Sequence, residues 1–226
     1  MKKVLLSIVI IGISLCQISC GTTVPLLSNR KPYEVDTAFV LHLPSQIASI
    51  TKGNKQEINE LYSDSTFNIR NKVFNDHLLK YITPVPLEFE DSYEQNSMIR
   101  SFLEIISTVE DTKSIKDITL YDTMVRFLER KNIKYMILTF HAGFTREQGN
   151  YLGQLAVGAG IRFLTPSFIV PMPVKANSTM VCCILDTENR NIAFYRKRTA
   201  EVEPISEKVI NRQLKLIMDS WLTASR

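Results

Sequence analysis

One apolar stretch, residues 133–144 (IKYMILTFHAGF), most restricts the fold of this chain. Within it, residues 135–138 are apolar without interruption, and a strand that lacks polar alternation is usually buried on both faces. A helical pattern over residues 120–131 runs directly into it, and two further strand patterns follow it. We therefore expect a central strand around which both halves of the domain pack.

The other periodic segments alternate between strand and helix. Strands are predicted over residues 37–43, 87–90, 178–186 and 191–198, and helices over residues 65–82, 120–131 and about 205–222. A further helix is predicted from an inner apolar stripe that runs from residue 98 to residue 109. A strand followed by a helix begins a βα unit, whereas the turn residues 187–190 predict an antiparallel hairpin. The sequence thus predicts a single α/β domain whose mixed sheet is parallel in its first part, antiparallel near the C-terminus and covered by amphipathic helices.

Local signals predict where the helices begin and end. Ser65 is expected to cap the first helix, and Pro84 is expected to stop it. Thr119 with Asp122 three residues later resembles a capping box, and Asn132 stands where a left-handed helix stop is common.

The first 19 residues have the pattern of a secretory signal. Lys2 and Lys3 precede a nearly continuous apolar run over residues 4–15, and small residues follow near the expected cut. The run is about half the ~20 residues that a spanning helix needs, which argues against a permanent transmembrane anchor.

The segment around Cys20 (QISCG) resembles the lipobox of bacterial lipoproteins, in which the cysteine at the cut is diacylated and becomes the first residue. Gln17 stands where an aliphatic residue is usual, and Cys16 would place bulky Leu15 before the cut, so Cys20 is the predicted lipidation site. The alternative is a plain signal with an incidental cysteine. The chain then divides into a signal peptide (1–19), a lipidated tether (20–34) and one α/β domain (35–226), and two acyl chains would anchor it stably.

The element order carries a second resemblance. The helix over residues 120–131, the central strand, the hairpin with its Asp186-Thr187 turn and the terminal helix are together similar to small periplasmic lipoproteins of the curli-secretion and penicillin-binding-protein-activator superfamily. That resemblance implies a TolB amino-terminal-like fold. The usual glycine of the turn is replaced by Asn189 or Asn191, and the Glu-Arg signature after the second strand is absent.

Charge and cysteine content argue against several classes of function. Loss of Lys2 and Lys3 with the signal lowers the formal net charge from +4 to +2, which leaves no electrostatic case for nucleic acid. Cys182 and Cys183 would point to opposite faces of a strand, so they are interpreted as buried apolar residues that cannot bridge each other. The histidines occur singly, and no metal site or cofactor is predicted.

Catalytic motifs are weak in this sequence. Ser28 and Ser49 each begin an S-x-x-K pattern, but the companion motifs S-D-N and K-T-G are absent. Asp91, Glu110 and Asp111 are candidates for a carboxylate pair, although acidic residues at loop ends are usually only solvated. No catalytic residue is therefore assigned, and the protein is predicted not to be an enzyme.

Residues 151–174 form an apolar, small-residue and proline-rich segment between two core strands. Prolines lack the donors of a strand ladder, so this segment cannot continue either strand. Two interpretations stay open: the segment folds back over one sheet edge, or it forms an apolar contact surface for a partner, a second copy or the membrane. The candidate interaction residues are Ile161, Phe163, Leu164, Phe168, Ile169 and Val170.

The sequence as a whole predicts an exported lipoprotein that faces the periplasm, with the outer membrane as its expected location. It would be held to the membrane through Cys20 and would act by binding an unidentified envelope protein, or a further copy of itself, as an accessory or assembly factor. Two alternatives stay open: a cell-envelope hydrolase whose site no motif reveals, and a self-assembling secretion or pore component.

Overall fold

The computed structural model describes residues 27–28, 35, 37–51, 55–78, 80–86, 89–147 and 174–223. The described residues contain eight strands and four helices. In chain order they are β1 (Leu27–Ser28), β2 (Thr37–His42), β3 (Gln46–Ile50), β4 (Gln56–Ile58), α1 (Glu60–Leu78), β5 (Thr83–Pro86), α2 (Ser92–Thr112), α3 (Asp122–Arg130), β6 (Tyr135–Arg146), β7 (Ala176–Asp186), β8 (Asn191–Ala200) and α4 (Glu207–Thr223).

The strands form one eight-stranded mixed sheet with the order β1-β8-β7-β6-β2-β5, to which β3 is added beside β6 and β4 beside β3. The pairs β2–β5, β2–β6 and β3–β6 are parallel, whereas β6–β7 and β7–β8 are antiparallel. The predicted fold class is therefore confirmed: a single α/β domain with a mixed sheet. The predicted central strand is β6.

Strand β6 has two neighbours along one of its edges. Its first half pairs with β2 and its second half with β3, while β7 covers most of the opposite edge. The short link between β2 and β3 contains Pro44, which has no backbone N–H to give to a ladder. The two short strands therefore act as one bent strand that follows β6 on both sides of the proline.

Side chains from the two faces of the sheet form two separate cores. On one face, α2 and α3 pack through Met98, Phe102, Ile105, Met124 and Leu128 against alternate residues of β6, β7 and β8. On the other face, α1 and α4 pack through Phe74, Leu78, Ile210, Leu214, Ile217 and Trp221. We call these the α2/α3 face and the α1/α4 face. The domain is thus a sheet between two helical layers.

Two local predictions match the structure. Residues 187–190 form the turn between β7 and β8, where Asp186 accepts hydrogen bonds from the backbone and side chain of Asn189 at 3.0 and 2.9 Å. Asn132 has the predicted left-handed conformation, with φ of 53°, directly after α3.

Two helix starts differ from their predictions. Helix α1 begins at Glu60 rather than after Ser65, because Asn59 accepts from the backbone N–H of Tyr62 at 3.0 Å and so provides the cap. Helix α3 has Tyr121 at its cap position without a side-chain hydrogen bond, whereas Thr119 is drawn into a bridge with Asn191 of β8.

Two parts of the strand prediction were wrong: the strand expected at residues 87–90, and the absence of any strand between β2 and α1. Residues 89–90 are not in a strand, and the strand is β5, which includes Pro84. Proline is tolerated there because β5 is the edge strand of the sheet. The strands β3 and β4 were not predicted. All three residues of β4 are exposed and show no apolar alternation, whereas β3 is mostly buried.

The predicted tether is corrected at two residues. Leu27 and Ser28 pair with Tyr195 and Phe194 at the β8 edge. Backbone pairing of this kind depends on the open edge of another strand, so side-chain periodicity did not indicate it.

The candidate interaction segment, including Ile161, Phe163, Leu164, Phe168, Ile169 and Val170, lies outside the described residues, as does Cys20. Among the helices that the structure describes, none has the length and apolar content to cross a membrane.

Truncation of one large core residue on each face should destabilise the domain strongly. Phe102 has no exposed surface on the α2/α3 face, and Trp221 is 2% exposed on the α1/α4 face. We expect Phe102→Ala and Trp221→Ala each to lower the free energy of unfolding by about 3–5 kcal/mol in a denaturant titration. Lys215→Ala, on the exposed side of α4, should change it by less than about 0.5 kcal/mol. Equal, small effects at all three positions would contradict the two-core description.

Candidate functional site

Polar side chains are collected in two very different places. One is a sealed group beneath α1 and α4, which we call the polar cluster; the other is an open cleft between α2 and α3. The polar cluster comprises His42, Arg70, Thr139, His141, Ser178 and Gln213, of which all but His42 are buried.

Helix α1 places one member of the polar cluster, Arg70, beside the bend between β2 and β3. Ser63, Thr66 and Arg70 lie at helical spacing on its buried side. Ser63 Oγ accepts from the backbone N–H of Ile47 at 3.0 Å, and the Arg70 guanidinium donates to the carbonyl of Leu43. These bonds provide hydrogen-bond partners for backbone groups on both sides of Pro44. Ser63 and Arg70 can therefore be buried on the inner side of α1 although they are polar.

A serine and a histidine meet in the polar cluster in a contact that resembles a nucleophile and its base. His141 Nε2 lies 3.0 Å from Ser178 Oγ. Gln213 Nε2 donates to the Ser178 carbonyl at 3.1 Å, which orients the amide so that its oxygen accepts from Ser178 Oγ at 2.7 Å. Because the serine proton is used in that bond, Ser178 Oγ accepts from His141 Nε2–H.

This donor direction is the reverse of the one that activates a nucleophile. A general base must accept the serine proton, whereas here the imidazole donates. His141 and Ser178 also have no exposed surface. The contact therefore ties β6, β7 and α4 together, and it does not present a reactive hydroxyl.

Burial keeps both histidines of the polar cluster neutral. Desolvation and then the nearby positive charge of Arg70 lower the pKa of His141 to about 3 and the pKa of His42 to about 4. His42 Nδ1 is 2.7 Å from Thr139 Oγ1, and its ring meets the ring of Phe74 edge-on. Both imidazoles are thus packed as neutral core groups at ordinary pH.

The cleft between α2 and α3 is open to solvent and has a volume of about 360 Å³. Its floor is apolar, since Phe127 stacks on Phe89 with ring centroids 5.4 Å apart. Its lining residues come from α3 and from the start of α2 with the two residues before it: Glu90, Asp91, Tyr93, Glu94, Ser97, Met98, Thr123, Arg126, Phe127 and Arg130.

The acidic groups of the cleft are already engaged. Asp91 caps α2 by accepting from the backbone N–H of Glu94 at 2.8 Å. Glu94 forms an ion pair with Arg130 and also accepts from the backbone N–H of Glu90 at 3.0 Å. Glu90 lies 3.6 Å from the Lys131 ammonium.

Tyr93 and Arg126 of the cleft form no such bond with a described residue. Tyr93 is 81% exposed, and Arg126 has no ion-pair partner in the part of the chain that the structure describes. Tyrosine and arginine are the residues on which protein interfaces most often depend. The cleft thus offers an aromatic ring, a free cation and an apolar floor to a ligand from solution.

The carboxylates that were candidates for a catalytic pair do not meet. Asp91 lies before the start of α2 and Glu110 in its last turn, about 28 Å apart along a helix that rises 1.5 Å per residue. Glu110 accepts from Tyr195 and Lys197 of β8 at 2.6 and 2.5 Å, so it joins α2 to the sheet. Ser49 lies in β3 and accepts from Asn59.

Cys182 and Cys183 are both buried and unbridged. Their side chains belong to the cores of opposite faces, as the sequence predicted. Burial raises the pKa of Cys182 to about 12 and that of Cys183 well above its ordinary value, so both are thiols at neutral pH. In the described ranges, no three His, Cys, Asp or Glu side chains are grouped as metal ligands would be.

Comparison with known proteins adds little to this geometry. No protein-family model matches the chain, and no curated protein matches it in sequence. Two solved structures of the PelC dodecamer from Paraburkholderia phytofirmans, one of them the L103M variant, are similar to it at 9% identity and a TM-score of 0.37. Each similarity covers 89% of this chain. It covers 98% of the chain of the L103M variant and 97% of the chain in the other PelC structure. A likeness of this degree carries no argument about function.

Acid should destabilise the domain through the polar cluster. The folded-state pKa of His42 and His141 lies below the ordinary 6.5, so the unfolded chain takes up protons first as the pH falls. The stability that the neutral imidazoles contribute is complete above pH 6.5 and decreases as the pH falls toward the folded-state values. Each histidine should contribute about 1.4 kcal/mol per pH unit in that window.

Denaturant titrations between pH 6.5 and 5 test this pH dependence. His141→Gln retains a donor toward Ser178 but cannot titrate, so its stability should fall less steeply than that of the wild-type chain. His77→Gln is the control, because His77 lies at the surface and bonds to Asn211. Equal slopes in the wild-type and His141→Gln chains would show that this imidazole is not held neutral by the fold.

Proposed function

We propose that this chain is a lipid-anchored protein of the bacterial cell envelope that acts by binding another envelope component. The observation that carries the proposal is Cys20, which directly follows a secretory signal in a sequence that resembles a lipobox. A protein fixed to a membrane surface by two or more acyl chains meets its partners at that surface.

The start of β1 supports a short connection to the membrane. Leu27 is paired with Tyr195 at the β8 edge, and it follows Cys20 by seven positions, with six residues between them. Fully extended, these residues reach about 25 Å. A lipidated Cys20 would therefore hold the domain close to the bilayer, with the β8 side of the sheet nearest to the anchor.

The α2–α3 cleft is the surface that we propose for the envelope partner. Its free Arg126 and exposed Tyr93 can receive an acidic group beside an apolar or aromatic one, while Phe127 provides the floor. The polar cluster is a poorer candidate for this role, because His141 and Ser178 are fully buried and a partner protein would not reach them.

Cys20→Ala should yield a protein that is exported but no longer attached to the membrane, because the acyl chains provide the anchor. Fractionation of cells grown with labelled palmitate measures both properties. We expect label and membrane association in the wild-type chain, and neither in the variant. A variant that still pellets with membranes, together with an unlabelled wild-type chain, would reject the lipidation site.

Crosslinking in intact envelopes tests the cleft. A photo-reactive phenylalanine analogue in place of Tyr93 should give an adduct of defined mass, and Arg126→Glu should reduce that adduct strongly because it repels an acidic partner. The matched control places the same analogue at Tyr81, which is also exposed, at 52%, but lies outside the cleft. Equal adducts from both positions, unaffected by Arg126→Glu, would reject the cleft as the contact surface.

A further inference from the structure

The Arg70 guanidinium is a buried charge for which the described residues provide no counter-charge. Arg70 has no exposed surface, and its hydrogen bonds go to the Leu43 carbonyl and, at 3.3 Å, to the Asn71 side chain. No carboxylate in the described ranges lies within ion-pair distance of it. Its Nε and Nη1 atoms have no hydrogen-bond partner among the described residues.

Such an arrangement is costly unless something compensates the charge. Removal of an ion from water into a protein interior carries a large free-energy penalty, and buried charges are almost always paired. Burial lowers the pKa of Arg70 to about 9, which leaves the guanidinium protonated at neutral pH. The two neutral carbonyl-type acceptors that Arg70 contacts satisfy hydrogen bonds, and the Phe67 ring lies 5.2 Å from the guanidinium carbon. These contacts offset part of the charge, but none of them carries the negative charge that would cancel it.

Further unpaired nitrogens surround the same charge. His42 Nε2 and His141 Nδ1 are buried and form no hydrogen bond of ordinary geometry with a described residue. Burial and the charge of Arg70 lower the pKa of both rings, whereas the nearby Asn75 side chain acts on His42 in the opposite direction. Thr139 and His141 alternate along β6, so they point to the same face, and Leu43 directly follows His42. The unpaired atoms are thus collected at the bend between β2 and β3.

We propose that this place is a binding site for a small inorganic anion of the halide class. The Nε and Nη1 groups of Arg70 donate to the anion, and His42 Nε2–H adds a donor when Thr139 donates to His42 Nδ1. The anion cancels the guanidinium charge between α1 and the β2–β3 bend. The site takes a small ion because Arg70, Thr139 and His141 have no exposed surface.

A buried water molecule is the competing explanation. It could bridge an Arg70 donor to the bare Nδ1 of His141, and buried waters commonly satisfy such groups. A water would complete the hydrogen bonds and leave the charge uncompensated. The two explanations differ in one measurable property, since only the anion site makes stability depend on the kind of salt at constant ionic strength.

The test is the melting temperature of the full chain carrying Cys20→Ala, measured while sodium bromide or chloride replaces sodium gluconate at constant ionic strength. A specific site predicts a melting temperature that rises with halide and then saturates. Arg70→Met keeps much of the aliphatic length and removes the charge, so the rise should be lost. Arg212→Met removes a charge from the exposed side of α4 and should keep the rise of the parent chain.

Bromide in crystals locates the ion independently of any variant. Anomalous scattering should show bromide at hydrogen-bond distance from the Arg70 guanidinium, and this result decides the question even if Arg70→Met does not fold. The proposal is overturned if that position holds only water, or if halide and gluconate give the same melting temperature. A halide effect that persists unchanged in Arg70→Met would also overturn it, because the ion would then bind elsewhere.

Discussion

The whole domain depends on the backbone pairing of β6. This strand is bonded to β7 along one edge and shared between β2 and β3 along the other, so every other strand is connected to it directly or through one of these neighbours. Its alternate side chains enter the two separate cores. Because both edges and both faces are covered, β6 lacks the polar alternation of a half-exposed strand, and α2 with α3 on one side and α1 with α4 on the other pack on it.

The bend at Pro44 explains the unusual composition of α1. The two short strands beside β6 leave backbone groups near the bend that the ladder does not satisfy. Ser63 and Arg70 satisfy two of them, so the inner side of this helix is partly polar. A hydrogen bond to a buried backbone group offsets the cost of burying a side-chain hydroxyl. The same geometry encloses a guanidinium charge that its hydrogen bonds do not neutralise.

The polar side chains that contact one another in the interior and those that solvent can reach lie in different parts of this protein. The interior holds a Ser178–His141 contact whose donor direction is set by Gln213, and burial makes that contact structural. The surface holds a cleft in which ion pairs and a helix cap use most of the charged groups, while Arg126 and Tyr93 face solvent. These side chains were not assigned a role from sequence, because a lone exposed arginine or tyrosine has no periodic or motif signal.

The sequence by itself determined the central strand, the order of most elements, the last hairpin and the separation of Cys182 from Cys183, because these follow from local apolar patterning and strand alternation. Only the tertiary structure decided the strand that contains Pro84 and the partners of Arg70. Each of these depends on a backbone edge or carbonyl supplied by a distant segment. A local pattern contains the preferences of neighbouring residues, whereas buried hydrogen-bond partners and shared strand edges exist only after the chain has folded.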